Sequence, residues 1–395
     1  MENRKIKRMY LLSFLFTFHI ALSSYVNSTF LTGVISEKFV GVLYTLAALL
    51  TLAVFSKSVN ILKYFGNRKL TMAFLALNMT ALAGIISSTS QLLTSISFII
   101  FAATNTLVLF CIDIFIEHWS DEGKTGKTRG LYLTIINIAW MLSPLISAYL
   151  ITAQGGYKAI YGLAFIMVAL MTFGLLFSTK TFKDKVYIKT PFIETFKYLL
   201  TNKHLMAIVG INFLLQFFYA WMVVYTPIYL YDHIGFTWDE IGIAFTVMLA
   251  PFVILGLPIG ILVDKYHFKR RNILRVGFAI AIISTVSISF ITSASVALWA
   301  VVLFMTRIGA SMIETASEIY FFSQVSDEDA NLLSIYRDMY PIAYIIAPTI
   351  ATLVFFVIPF KYLFVILGLI LSVGFYLIPK LKKINHEAIS ISSKN

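Results

Sequence analysis

Two stretches of this chain determine how it folds: LYLTIINIAWMLSPLISAYL at residues 131–150 and IYRDMYPIAYIIAPTIATLV at residues 335–354. Each stretch is apolar, is about 20 residues long, and can therefore cross a bilayer as a helix. When the second is laid over the first, Pro144 aligns with Pro348, and tyrosines near their starts also coincide. The alignment predicts a chain built from two copies of one membrane-spanning unit.

The composition of the whole chain agrees with this interpretation. Of its 395 residues, 59% are hydrophobic and only 13% are charged. A soluble protein of this size could not bury so much apolar surface, so lipid must cover a large part of it. We predict twelve helical spans. They are residues 9–31, 39–60, 70–90, 94–117, 130–152, 156–178, 204–231, 239–263, 272–293, 296–322, 332–357 and 360–379.

The net charge of +12 follows the membrane topology rather than a nucleic-acid surface. With a cytoplasmic N-terminus, nearly all Lys and Arg residues fall in cytoplasmic segments, and three fall in external ones: Lys38, Lys158 and Lys361. This positive-inside bias predicts a multi-pass protein of the cell (plasma or inner) membrane with both termini in the cytoplasm. The expected partner of its surface is the lipid bilayer, and no nucleic acid is expected.

The sequence lacks the residues that several classes of function require. The single cysteine, Cys111, lies in an apolar span, so neither a disulfide nor a Cys-based metal site is expected. We expect no metal and no cofactor, and we expect no enzyme because no catalytic constellation is present. The stretch EGKTGKT at residues 122–128 lacks the first glycine of a phosphate-binding loop, so an ion gradient is the expected energy source.

The longest polar interruption, TKTFKDKVYIKTPFIETFKYLLTNKH at residues 179–204, separates six spans from six. Its pattern predicts a short amphipathic helix at the membrane interface, near residues 191–201. The predicted domains are an N-terminal six-helix bundle at 1–180, a cytoplasmic linker at 181–203, a C-terminal six-helix bundle at 204–384 and a cytoplasmic tail at 385–395.

The loop GILVDKYHFKRR at residues 260–271 carries the most specific motif of the sequence. Gly260, Asp264 and Lys265, followed by a basic run, match a cytoplasmic loop pattern of the major facilitator superfamily, although His267 replaces its second glycine. The chain resembles that family over essentially its whole length. The resemblance implies an all-α integral membrane protein with twelve transmembrane helices in two pseudo-symmetric six-helix bundles. It also implies alternating access, with the substrate path between the bundles.

A degraded copy of this loop, VNILKYFGNRK at residues 59–69, has Lys63 at the position of the aspartate. In the family this aspartate lies against the start of a helix in the opposite half, where a helix N-terminus favours negative charge. We therefore hypothesise two cytoplasmic cross-half pairs, Asp264 with Arg129 and Lys63 with Asp338. The predicted cytoplasmic gate comprises Gly260, Asp264, Lys265, Arg129, Lys63, Asp338, Glu117, Glu318 and Arg337.

Span ten carries three formal charges, Arg307, Glu314 and Glu318. At about 100° per residue, all three fall within a stripe about 40° wide on one helix face. Span four aligns Asp113 with Glu314 and Glu117 with Glu318, whereas Arg307 has no counterpart in the first half. Charges inside a membrane face a bundle interior, a cavity or a partner, so each of them is a functional hypothesis.

Two interpretations of these charges remain open at the level of sequence. Asp113 and Glu314 are either protonatable groups in the proton and substrate pathway or structural ties between helices. Glu117 and Glu318, nearer to the interface, are expected to be structural. Arg307 either meets an anionic group of the substrate or forms a buried ion pair.

A histidine and several aromatic residues complete the predicted pathway. His19, near the middle of span one, is either part of a proton relay or a hydrogen-bonded core residue. The first helix of each half lines the central cavity in the family, and these helices are spans one and seven here. An aromatic wall with few polar groups suits an amphiphilic or ring-bearing solute. The predicted lining residues are Tyr25, Asn27, Gln216, Tyr219, Trp221 and Tyr225.

The expected function is transport of a small organic solute driven by a proton gradient, resembling drug efflux by proton antiport. Uptake of a sugar or another metabolite by proton symport is the second expectation. A flippase for a lipid-linked substrate and a sensor that binds without transporting are the alternatives from other classes. The expected partners are a small-molecule substrate and protons, and the protein is expected to be a monomer.

Overall fold

The computed structural model describes residues 2–119, 125–184, 192–255, 258–259, 269–324 and 330–382. Over these residues the regular secondary structure is helical throughout. The first half contains α1 (Glu2–Ser24), α2 (Asn27–Thr32), α3 (Glu37–Phe55), α4 (Ser58–Phe65), α5 (Asn67–Ser87), α6 (Gln91–His118), α7 (Thr125–Gln154) and α8 (Tyr157–Ser178).

The short helix α9 (Phe192–Thr201) follows, at the place where the sequence predicts an interfacial helix. The second half contains α10 (Lys203–Ile228) with a π-helical extension (Tyr229–Ile234), α11 (Trp238–Ile254), α12 (Arg270–Ile288), α13 (Val296–Phe322), α14 (Ala330–Phe355) and α15 (Leu363–Leu377). Short 3₁₀ turns, Phe360–Tyr362 and Ile378–Lys380, flank α15.

Each of the twelve predicted spans contains one long helix. Among the described residues, ten helices are long and apolar enough to cross a membrane. The other two are α1, which begins in the basic N-terminal segment, and α11, whose described part is 17 residues long. The prediction of one continuous helix over residues 9–31 was wrong, because the chain turns at Tyr25 and Val26 before α2 begins.

The helices pack into two bundles. In the first half, α1 packs on α7 and α8, α5 packs on α6 and α8, and α3 packs on α6. In the second half, α10 packs on α13, α14 and α15, while α12 packs on α13 and α15. A Cβ on Gly309 would lie 2.5 Å from the Ala281 backbone nitrogen, so α12 and α13 approach as closely as helices in membranes do at small residues. The fold is therefore a pair of six-helix bundles.

The two bundles meet where α3 packs on α14 and where α7 packs on α11. A glycine lies in each contact. A Cβ on Gly41 would lie 2.8 Å from the Pro348 carbonyl oxygen and would also collide with the Tyr225 hydroxyl. A Cβ on Gly242 would lie 2.5 Å from the Ala148 Cβ. The absence of side chains at these two positions is what allows the halves to touch.

Both glycine contacts lie toward one side of the membrane. We name this side the closed face; it is opposite to the side on which α1 begins and α15 ends, which we name the terminal face. Polar contacts between the halves also fall at the closed face. They join Thr32 to Asp232 at 3.2 Å, Glu37 to His233 at 3.0 Å and Thr152 to Asp239 at 3.2 Å. The halves are therefore pressed together at the closed face.

We predict that Gly41→Val forces the halves apart at the closed face. Overpacking at a tight contact costs about 1–3 kcal/mol, so the closed arrangement should become about 5- to 150-fold less populated. The measurement is thiol labelling of Ala148→Cys, a position that is buried in this arrangement, with Cys111→Ala removing the native thiol.

Gly162→Val in α8 is the matched control, because a Cβ at Gly162 would meet no atom within 4 Å. It should leave the labelling rate unchanged. Equal labelling rates in the two valine variants would contradict a closing role for Gly41.

Candidate functional site

A cavity of about 100 Å³ lies between the two bundles. Helices α1, α2, α3 and α6 line it from the first half, and α10 and α14 line it from the second. None of the described residues around it carries a formal charge. They are Ile20, Ser24, Asn27, Tyr44, Ala47, Ala48, Thr51, Phe98, Ala102, Asn105, Thr106, Leu109, Val223, Tyr340, Pro341 and Tyr344.

The cavity runs from the closed face toward the terminal face. Ser24 and Asn27, near the closed-face end of the first span, lie at the closed end of the cavity. Thr51 and Leu109 lie in the parts of α3 and α6 that approach the terminal face. The Tyr340 side chain, on the same side, is 42% exposed. The arrangement is that of a central site sealed from one face and approached from the other.

A buried network of polar side chains lies next to the cavity, inside the first bundle. The His19 ring is 0% exposed, and both of its nitrogens face oxygen atoms. Nδ1 contacts the Phe16 carbonyl, and Nε2 lies 3.1 Å from Asn105 Oδ1. Asn78 Nδ2 donates to the same Oδ1 at 2.8 Å and to Thr104 Oγ1 at 2.9 Å. The network joins α1, α5 and α6 and reaches the cavity through Asn105.

A charged cluster occupies the second bundle, outside the cavity wall. The Arg307 side chain is 1% exposed, and its guanidinium lies 5.1 Å from the Phe218 ring and 5.7 Å from the Tyr219 ring. The Tyr25 side chain, from the other half, interacts electrostatically with this guanidinium. Within the described part of the chain, Arg307 Nε and Nη1 have no hydrogen-bond partner. The cation is thus desolvated and held mainly by aromatic faces.

The acids of span ten differ in their surroundings. Glu314 is half-buried and accepts a hydrogen bond of 2.9 Å from the Tyr219 hydroxyl. Glu318, one turn nearer to the terminal face, is exposed and interacts electrostatically with Arg337. Asp113 is half-buried on α6. The structure therefore brings Glu314, Tyr219 and Arg307 together and places Asp113 in the other bundle.

The aromatic residues predicted to line the cavity mostly lie elsewhere in this arrangement. Asn27 alone of the six lines it, and Trp221 and Tyr225 are fully buried in helix contacts. The Tyr25 ring packs on Phe245 across the closed face at 4.9 Å between centroids. The face of α10 that is rich in aromatics is used for packing and for closure rather than for the cavity wall.

Gln216 and Tyr219 are half-buried within the second bundle. Gln216 Nε2 donates to Asn212 Oδ1 at 3.3 Å, and Asn212 Nδ2 donates to the Tyr336 carbonyl at 2.7 Å. Gln216 is thus bonded within α10, and Asn212 carries the hydrogen bond from α10 to α14.

Sequence reasoning missed most of the cavity wall. Asn105 on α6 and Tyr44 on α3 line it from the first half, and Tyr340 and Tyr344 line it from the second. A side-chain amide near the middle of a membrane-spanning helix was the available signal for Asn105. The two tyrosines of α14 are four residues apart and share a helix face, which was the signal for them.

Several predicted gate residues cannot be placed. Gly260, Asp264 and Lys265 lie outside the described residues, as do the side chains of Arg129 and Glu117. The pairing of Asp264 with Arg129 therefore stays a prediction. Lys63 is exposed on α4 and Asp338 is half-buried on α14, and their pairing also stays a prediction.

The degraded loop of the first half is anchored by other residues. Asp184 Oδ1 accepts a hydrogen bond of 2.7 Å from the Asn67 backbone nitrogen, at the start of α5. Arg68 donates to Thr179 Oγ1 at 3.1 Å and to the Leu176 carbonyl at 3.2 Å, at the end of α8. The basic loop is thus bonded to the end of α8 and to the segment that follows it.

Two six-helix bundles around a central cavity that is sealed at one face define a membrane transport protein. The sequence profile of the Major Facilitator Superfamily matches residues 9–317 and 224–392. The chain belongs to this family, whose members bind small-molecule substrates.

The solved structures that resemble this chain share its fold at low sequence identity. The nucleoside transporter NupG is 11% identical with a TM-score of 0.75, and the comparison covers 96% of this chain and 100% of that one. A bacterial homologue of the iron transporter ferroportin in an inward-facing state is 14% identical with a TM-score of 0.72, covering 95% and 98%. No curated protein sequence matches the chain.

We predict that Arg307→Met abolishes transport without lowering stability. Removing a buried cation that lacks full pairing is neutral or stabilising, and the methionine sulfur can still contact the Phe218 and Tyr219 rings. The measurement is the thermal unfolding midpoint in detergent, together with solute flux in liposomes.

Arg68→Met is the matched control, because this guanidinium is hydrogen-bonded at α8. Loss of those bonds should cost about 1.5–3 kcal/mol of stability. A structural ion-pair role for Arg307 would instead show as a strong loss of stability in Arg307→Met, of about 3–5 kcal/mol.

Proposed function

We propose that this protein is a secondary active transporter that moves a small organic solute across the cell membrane by alternating access. The observation that carries the proposal is the central cavity, which lies beneath the glycine contacts at Gly41 and Gly242. The two contacts occupy equivalent places in the two halves, α3 against α14 and α7 against α11. In a rocking motion, the two halves separate at one face of the membrane while they close at the other. Such a motion needs a pair of equivalent contacts between the halves.

The orientation and domain division belong to the same proposal. The positive-inside bias of the sequence supports a cytoplasmic terminal face, so the cavity would be approached from the cytoplasm in this arrangement. The moving units would be residues 1–180 and 204–384, joined by the linker that contains α9 and followed by a cytoplasmic tail at 385–395.

Proton coupling is proposed to reside in the charged cluster of the second bundle. Glu314 is hydrogen-bonded to Tyr219, which also contacts the Arg307 guanidinium. Protonation of the carboxylate would remove a negative charge that interacts electrostatically with the buried Arg307, so the cluster responds to one proton. His19 and Asp113 are the corresponding candidates in the first bundle.

The direction of transport has two candidates. Proton antiport that exports a drug-like solute is the first, as the sequence leads us to expect. Proton symport of a sugar or metabolite is the second, and the small, uncharged and hydrogen-bonding cavity favours it. A lipid-linked flippase and a sensor that does not transport are alternatives that flux measurements separate from both.

We predict that Glu314→Gln uncouples transport from protons while preserving the fold. The glutamine oxygen can still accept the Tyr219 hydrogen bond, but the side chain can no longer gain or lose a proton. The measurement uses the protein reconstituted in liposomes with an internal pH dye and a panel of solutes.

The wild-type protein should move protons when a transported solute is added, inward with the solute for symport and against it for antiport. Asp113→Asn is the parallel variant in the first bundle. Unchanged proton movement in both variants would contradict the carboxylate assignment. Solute binding without any flux in the wild type would identify a sensor.

A further inference from the structure

Two asparagines in the cavity wall have their amide orientation fixed by hydrogen bonds to residues inside the first bundle. Asn27 Oδ1 accepts a hydrogen bond of 2.8 Å from the Tyr161 hydroxyl on α8. Asn105 Oδ1 accepts from Asn78 Nδ2 at 2.8 Å and lies 3.1 Å from His19 Nε2. An amide whose oxygen is bonded to donors inside the bundle must direct its NH₂ group away from them.

The NH₂ groups of both asparagines remain available. The Asn27 side chain is 7% exposed and the Asn105 side chain is 9% exposed, and both residues line the cavity. Among the described residues no acceptor bonds either Nδ2, and neither atom is among the fully buried polar atoms without a partner. The small exposed area of each amide therefore lies on the cavity side. A hydrogen-bond donor that is removed from water and has no acceptor costs free energy. A ligand that supplies an acceptor to each NH₂ group therefore gains binding free energy from both asparagines.

Aromatic rings from both halves form the remaining walls. Tyr44 packs edge-on against Phe98 at 5.0 Å between ring centroids, in the first half. Tyr340 and Tyr344 lie 4.8 Å apart in the second half. The Tyr44 hydroxyl itself is fully buried, so this residue contributes its ring rather than a hydrogen bond to the wall.

The absence of charge around the cavity defines the other property of the ligand. No described lining residue is charged, and the Arg307 and Glu314 side chains are outside the wall. A charged solute would lose its hydration without meeting an opposite charge, which is strongly unfavourable. The volume of about 100 Å³ also favours a single small ring over a large amphiphile.

We propose that the cavity binds an uncharged, planar ring compound with at least two hydrogen-bond acceptors, such as ring carbonyl oxygens. Its acceptors take hydrogen bonds from Asn27 and Asn105, and its ring packs among the tyrosines of both halves. The proposal deepens the transport proposal and rests on it. Asn78 and Tyr161 are positioning residues in this arrangement, because they donate hydrogen bonds to the amide oxygens without touching the ligand.

The test measures binding of probe compounds to the purified full-length protein in detergent by calorimetry. The planar, uncharged probes are uracil, nicotinamide and hypoxanthine. Three analogues each remove one required property of uracil: orotate adds a carboxylate, dihydrouracil loses planarity and toluene lacks acceptors. At least one planar probe should bind, and if uracil does, each analogue should bind at least about tenfold more weakly.

The decisive variant is Asn27→Asp. The carboxylate can still accept the Tyr161 hydrogen bond, but an oxygen replaces the NH₂ group and repels a ligand acceptor. Affinity for the planar probe should fall by at least about tenfold, and Asn105→Asp should act in the same direction. Asn67→Asp is the matched control, because Asn67 Nδ2 donates to the Cys111 carbonyl outside the cavity. It should lower the unfolding midpoint and leave the affinity unchanged.

The outcomes separate this proposal from the transport proposal. Three results would each overturn the ligand class. They are tighter binding of orotate than of uracil, failure of all three planar probes to bind, and an undiminished affinity in Asn27→Asp. Proton-coupled flux of a charged or non-planar solute in liposomes would then leave transport standing. If no solute in the liposome panel moves and no proton movement is seen, the transport proposal itself fails.

Discussion

The arrangement of the whole molecule depends on two places where helices touch backbone to backbone. Gly41 and Gly242 contribute no side chain to these contacts, so a carbonyl, hydroxyl or methyl group of the other half fills the space. Packing in lipid gains little from the hydrophobic effect, because lipid tails are as apolar as the side chains that they replace. Close van der Waals contact therefore decides which surfaces of the bundles meet, and the cavity is the space left where such contact ends.

The same solvent explains where the polar groups lie. A polar group in the membrane interior must find a partner within the protein, since neither water nor lipid supplies one. The NH₂ groups of Asn78 and Asn212 satisfy this requirement through bonds between helices. Arg307 departs from it, because two of its nitrogens have no partner within the described part of the chain. A cost of this kind persists where it serves a conformational or binding role.

Much of the fold follows from the sequence, and much less of the site does. Apolar length and basic loops locate each span, and span ten is predicted to the residue as Val296–Phe322. The stripe of Arg307 and Glu314 follows from helical geometry alone. The cavity wall does not, because periodicity identifies a helix face without identifying what that face meets. The aromatic face of α10 illustrates this, since Trp221 and Tyr225 are used in packing.

Helix α10 connects the uncharged cavity to the charged cluster. Val223 lines the cavity, and Tyr219, one turn earlier on the same face, donates to Glu314 and lies beside Arg307. A ligand or a proton can shift a conformational equilibrium only through different interactions with its two states. In the proposed function, a ligand that bridges the two halves acts on α10 at Val223, and protonation of Glu314 changes the electrostatic balance at Tyr219, one turn away on the same face of the helix. Both events therefore act on one rigid element, which is the minimum that coupling between solute and proton requires.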